Sequence, residues 1–164
     1  MTFFRIKKIK GKEYIYMVEN EWTGKSSRQK VKGYLGKAFR FDMQRNIEFT
    51  GFWNIQDIEK YIDENKKEKI MKDLIEWEIA RNGIPKEKFI IDPENKKIQS
   101  NGKDIVLIIN RGFMCGFTLS NLLEFKTESE EQDVKRLARA FVEAGIKIPE
   151  ELFIGLFAKL YKIA

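Results

Sequence analysis

Arg28-Gln-Lys-Val-Lys-Gly-Tyr-Leu35 alternates between polar and apolar residues with a period of two. That period places successive side chains on opposite sides of a β-strand. Read as a regular strand, it puts Arg28, Lys30, Lys32 and Tyr34 on one face and Val31 and Leu35 on the other. Upstream, Phe3-Phe-Arg-Ile-Lys-Lys-Ile-Lys10 alternates in the same way, with Arg5 and Lys7 opposing Phe4 and Ile6. Gly11-Lys12 turns it into Glu13-Tyr-Ile-Tyr-Met-Val18, a run rich in aromatic and β-branched residues. Trp22-Thr-Gly24-Lys-Ser-Ser supplies the turn into Arg28. The expected product is a small antiparallel sheet with one basic face. Its apolar side needs cover, so it should pack on the rest of the chain.

Beyond residue 50 the period changes to that of a helix. Asn54 is the expected N-cap of a segment carrying Ile55, Ile58 and Ile62, with Asp57 three residues on. Asn65-Lys-Lys interrupts it, and Ile70, Met71, Leu74, Ile75 and Trp77 form a broad apolar face that stops at Asn82-Gly83. Phe89–Ile91, Lys97-Ile98 and Ile105–Ile109 read as strands, the last two joined by the hairpin dipeptide Asn101-Gly102. Asn110-Arg-Gly-Phe-Met-Cys-Gly-Phe117 reads as a loop, and Thr118 or Ser120 as the cap of a short helix. Ser129-Glu-Glu-Gln132 has the capping-box pattern and should open a helix that Gly145 ends. Pro149 starts a last helix with Leu152, Phe153, Leu156, Phe157 and Leu160 in one stripe. The fold class is therefore α+β: a basic β module over residues 1–50, then a mixed body over 51–164 ending in two helices.

The chain has 164 residues, 43% hydrophobic and 34% charged, which suffices for a core and speaks against general disorder. Its longest aliphatic run, Ile105–Ile109, is far short of a membrane span, and Arg5 interrupts any signal core, so a cytoplasmic protein is expected. The single Cys115 agrees with a reducing compartment. Histidine is absent, which removes Ser-His-Asp and Cys-His catalysis and ordinary zinc sites. The Ile/Lys/Glu-heavy composition fits a thermophile and an AT-rich genome equally well.

The net charge of +6 is unevenly placed. Residues 1–40 hold eleven Lys/Arg against three acids (Glu13, Glu19 and Glu21), a net of +8, and the remainder nets −2. Such asymmetry bears on partners rather than fold. The candidate nucleic-acid contacts are Arg5, Lys7, Lys25, Arg28, Lys30, Lys32, Tyr34 and Lys37, with Trp22 at a hairpin tip. Phosphates call for cations spaced along a surface, and bases can stack on exposed aromatic rings. Lysine on exposed strands is also a defence against aggregation, and Tyr14, Tyr16 and Tyr34 taken singly read as packing residues.

Ile6-Lys-Lys-Ile-Lys-Gly-Lys-Glu-Tyr-Ile-Tyr-Met-Val-Glu-Asn20, Thr23-Gly-Lys25 and Arg28-Gln-Lys-Val-Lys-Gly-Tyr-Leu-Gly-Lys37 together resemble the N-terminal β segment of insertion-sequence transposases of the IS4/IS1634 type. The resemblance covers residues 4–37. It implies nucleic-acid handling by the basic positions and no acid triad, since nothing after residue 50 resembles the transposase catalytic domain.

Two further clusters are weaker. Arg111, in the glycine-punctuated loop before a helix, could grip a phosphate or carboxylate. Asp92, Glu94, Lys96 and Asp104 loosely suggest a magnesium-dependent nuclease, although Asp92-Pro-Glu-Asn-Lys96 reads better as a turn. No catalytic residue, metal or cofactor is assigned. The expected function is non-catalytic binding of RNA or DNA. The alternative is a protein-interaction module, docking a partner or a second copy through the C-terminal helices.

Overall fold

The computed structural model describes residues 2–163. Among them the chain folds as α+β, with helices packed on one seven-stranded mixed sheet. Strands β1 (Thr2–Ile9), β2 (Lys12–Trp22) and β3 (Ser27–Arg40) form an antiparallel ribbon. Lys10 and Gly11, at φ 51° and 78°, make the two-residue turn that joins the first pair. The second turn is closed by Thr23, whose N–H and hydroxyl both donate to the Ser26 carbonyl at 2.9 Å.

The C-terminal part of β3 then runs parallel to β6 (Lys103–Ile109), from Lys37 opposite Ile105 to Arg40 opposite Ile108. The sheet thus continues across the boundary expected at residue 50. Its order is β1-β2-β3-β6-β5-β4, where β4 is Ile90–Asp92 and β5 is Lys97–Ser100. Asn101 and Gly102, at φ 52° and 74°, turn β5 into β6 as the Asn-Gly dipeptide predicts. The segment expected as a loop after β6 is instead a tight hairpin. Asn110 and Arg111 both adopt positive φ, and β7 (Gly112–Met114) pairs back on β6. Asparagine tolerates that backbone. Its side chain is held there, donating to Glu78 Oε2 at 2.9 Å and to the Gly145 carbonyl at 2.7 Å.

Helices α1 (Phe49–Phe52), α2 (Ile58–Glu64) and α3 (Lys67–Arg81) fill the crossover between β3 and β4. Asp57, not Asn54, caps α2: its carboxylate accepts from Lys60 N–H at 3.1 Å, while Asn54 is itself in the left-handed region. Helix α3 is buried around most of its circumference, with Ile70, Met71, Leu74, Ile75, Trp77 and Ile79 in the main core. Helix α4 (Gly116–Leu123) begins after Cys115, so Thr118 lies inside it and reaches back to accept from Cys115 N–H at 3.1 Å. Helix α5 (Glu130–Glu143) starts after Ser129, yet the Ser129 side chain does not cap it. The buried Asp133 carboxylate instead reaches back to the residues just before the helix, accepting from Glu128 N–H at 2.7 Å and Ser129 N–H at 3.0 Å. It also accepts from Arg136 and from the Tyr161 hydroxyl on α6 (Glu150–Ile163). Leu152, Leu156 and Leu160 of α6 lie inside the main core, with Phe153 and Phe157 packed against it.

The sheet has apolar cover on both faces near β6. Ile105, Leu107 and Ile109 face the main core with α3 and α6. Val106 and Ile108 face a smaller cluster with Ile15 and Cys115, against which Phe4, Leu35, Ala38, Phe113 and Phe117 pack. Of the ribbon, only Phe39 near the end of β3 packs against the main cluster.

Candidate nucleic-acid interface

Cross-strand partners share a face of the sheet, so the register sorts every ribbon side chain. The Lys10-Gly11 turn sets Lys7 opposite Tyr14 and Arg5 opposite Tyr16. Across β2, Tyr14 faces Lys37 and Tyr16 faces Tyr34. Two bulges interrupt β3, leaving Leu35 and Lys32 without partners on β2. They break the strict alternation read from the sequence. Arg28, Lys30 and Lys32 do share a face, since Lys30 lies opposite Glu19, Arg28 opposite Glu21, and Lys32 pairs with Glu19. Tyr34 does not join them. It stands on the other face with Val31, while Leu35 packs into the small cluster behind.

The eight candidates therefore divide. One face carries Arg5, Lys7, Tyr34 and Lys37, together with Tyr14, Tyr16 and Lys12. The opposite face carries Arg28, Lys30 and Lys32, and Lys25 lies in the exposed tip between Trp22 and Ser27. The acids follow a single rule. Glu13, Glu19 and Glu21 are all odd-numbered residues of β2 and lie on the second face, paired with Arg40, Lys32 (3.1 Å) and Lys30 (3.8 Å). The strand residues of the first face include no acid.

The Arg40 guanidinium donates two hydrogen bonds to Glu13, at 2.5 and 2.7 Å, and holds that carboxyl below its usual range. The hydrogen bond from Lys32 lowers Glu19 in the same direction. On the acid-free face Arg5 donates to Gln29 at 3.2 Å, a neutral partner that leaves its charge uncompensated. Lys37 lies 5.1 Å from the Phe39 ring centroid. Tyr34 is 55% exposed, and its ring sits 5.1 Å from Tyr16 and 6.4 Å from Tyr14, centroid to centroid. Partial burial, then the neighbouring tyrosines, push its phenol pKa up, so the ring stays neutral. Trp22, 73% exposed, shares this face at the far end of β2.

Tyr14, Tyr16 and Lys12 do not stand out as contacts in the sequence. The signal is nonetheless there, because a two-residue turn at Lys10-Gly11 fixes the β1–β2 register and hence the Arg5–Tyr16 and Lys7–Tyr14 rows.

The other candidates disperse. Asp92 accepts from Asn95 N–H at 3.2 Å and from its side-chain amide at 2.7 Å, as a turn residue does. Glu94 pairs with Lys72 at 3.2 Å, Lys96 with Glu124, and Asp104 accepts from Gln99 at 3.0 Å. Among the described residues no group of acids, cysteine or histidine is placed to hold a metal ion. Arg111 is exposed and, with Lys147, lines a cavity of about 530 Å³ whose other walls are mainly apolar residues of α5 and of the segment between α5 and α6. Cys115 is 2% exposed, and burial pushes its thiol pKa up, the reverse of what a nucleophile needs. No described helix is long and apolar enough to cross a membrane. The chain matches no protein-family model, no curated protein and no solved structure.

Proposed function

We propose that the protein binds nucleic acid, RNA or DNA, on the face of the ribbon that carries Arg5, Lys7, Lys12 and Lys37, and performs no chemistry on it. The observation that carries this reading is the sorting of charge. All three acids of the ribbon lie on one face and are ion-paired, leaving cations and tyrosines together on the other. A merely solvated sheet has no reason to separate its charges this way, whereas a polyanion is repelled by any acid it must pass over. The resemblance of residues 4–37 to a transposase N-terminal segment points the same way. A protein partner on the C-terminal helices has less support, because their apolar stripe is used inside the core.

The test is a salt titration of binding to mixed-sequence RNA and DNA. The logarithm of affinity should fall with that of salt by roughly 0.7 to 0.9 per neutralised phosphate. Replacing Arg5, Lys7 and Lys37 together should flatten the slope by about two to three. Replacing Arg28, Lys30 and Lys32 should flatten it less, as two of these are already paired with glutamates. Binding that survives the first triple substitution unchanged, with its full salt slope, refutes the proposed face.

A further inference from the structure

We infer that the ligand of this face is a single strand, whose unpaired bases stack on Tyr34 and its neighbours. This rests on the nucleic-acid reading above and narrows it. Tyr14, Tyr16 and Tyr34 form a contiguous aromatic row across β2 and β3, with ring planes tilted 37° and 47° from that of Tyr34. Arg5 and Lys7 flank the row on one side, and Lys37 flanks it on the other. A ring can stack only on a base whose face is open. In a duplex those faces are buried against neighbouring base pairs, so the tyrosines would meet only backbone. Single strands offer both the phosphate and the free base face, and each stacked base contributes to affinity whatever its identity.

Shape points to the same ligand. The B-DNA major groove, about 12 Å wide, admits a helix or a two-stranded ribbon. Three strands place their outer backbones about 10 Å apart before any side chain is added. Tyr14 and Tyr16 lie in the middle of that breadth, on β2, where a groove wall would hold bases away from them. An open sheet face is a platform, and the neutral Tyr34 phenol sets no anion against the strand laid over it.

The experiment is fluorescence anisotropy on the full chain with three labelled probes of equal length: oligo-dT, oligo-U and a blunt DNA duplex. At least one of the two single strands should bind about tenfold tighter than the duplex. Tyr34→Ala should weaken single-strand binding by about tenfold, Tyr34→Phe by less than about twofold, and Tyr34→Trp should tighten it. Circular dichroism of each variant reports folding, and Tyr34 as a residue is already more than half exposed. A duplex bound as tightly as the tighter of the two single strands, or single-strand binding untouched by Tyr34→Ala in a chain still sensitive to Arg5, Lys7 and Lys37, overturns this inference and leaves the broader reading standing. Absence of binding to all three probes overturns both.

Discussion

In the body, Glu78 is fully buried with both oxygens engaged. Oε1 accepts from Arg81 at 2.6 Å and from Lys147 N–H at 2.9 Å, and Oε2 accepts from Arg81, Asn82 and Asn110. One carboxylate thereby ties α3 to the β6–β7 turn and to the segment before α6. In the ribbon, Glu19 and Glu21 each meet a single lysine of the neighbouring strand at an exposed surface. The same residue type serves two purposes. A buried acid must have every lone pair satisfied and therefore fixes a geometry. An exposed acid contributes little to stability and serves instead to set the local potential. The body uses charge to define its shape, and the ribbon uses charge to present a field.

That contrast has consequences that differ in size. Glu78→Ala would leave four donor groups without their acceptor inside the core, so unfolding in urea should show a loss of about 3–5 kcal/mol. Nucleic-acid affinity of the remaining folded protein should be unchanged. A loss of binding without a loss of stability would mean that the two regions are not separate in function. Gly36 tests the seam between them. It holds φ at 137°, and an added Cβ would collide with the Asp104 backbone carbonyl on β6. Gly36→Ala should cost about 1–3 kcal/mol. It should also speed hydrogen exchange of the Ile105–Ile108 amides more than that of α3. Equal acceleration in both would show that ribbon and body open as one unit.

The smallest effect is an expected absence of change. With no histidine in the chain, and with the Tyr34 phenol pushed up and so neutral, affinity should be flat between about pH 6 and 9. Stability should follow a different curve. Burial works against ionisation of Asp133, but hydrogen bonds from Tyr161, Glu128, Arg136 and Ser129 outweigh it and hold the group below its usual range. Glu13 and Asp92 are lowered as well, by Arg40 and by Asn95. A carboxyl lowered in the folded state contributes stability above its unfolded pKa and loses it as pH falls through the folded value. The urea midpoint should hold down to about pH 5 and drop below about pH 4. A binding curve that tracks the stability curve through this range would indicate that affinity depends on the body.

The helical part was legible wherever one period ran long enough. Ile70 to Trp77 gave α3, Leu152 to Leu160 gave α6, and Asn101-Gly102 gave its hairpin. What the sequence concealed depended on partners far along the chain. Nothing local marks Lys37–Arg40 as the parallel neighbour of Ile105–Ile108. Ser129 has the form of a cap, but its side chain makes no capping bond, and its N–H is taken by Asp133, on which Tyr161 and Arg136 also converge. Asn110-Arg111 lacks the glycine of a favoured hairpin turn and is held by Glu78 and Gly145 instead. The cations of the ribbon were all legible as residues. That Tyr34 stands with Lys37 and not with Lys30 was not, because β3 takes up an extra residue on either side of the Gly33-Tyr34 pair.

Those extra residues have a consequence for how the surface can vary. Lys32 and Leu35 pair with nothing on β2, so removing Lys32 would let Val31 and Gly33 become ordinary neighbours, still opposite Val18 and Met17. Every remaining side chain would keep its face. What would change is curvature, since a bulge bends its strand and increases the local twist. The chemistry of the platform and its bend are thus written in different residues. A single-codon deletion could flatten it, and a single insertion could coil it further, without moving one cation or one ring to the other side.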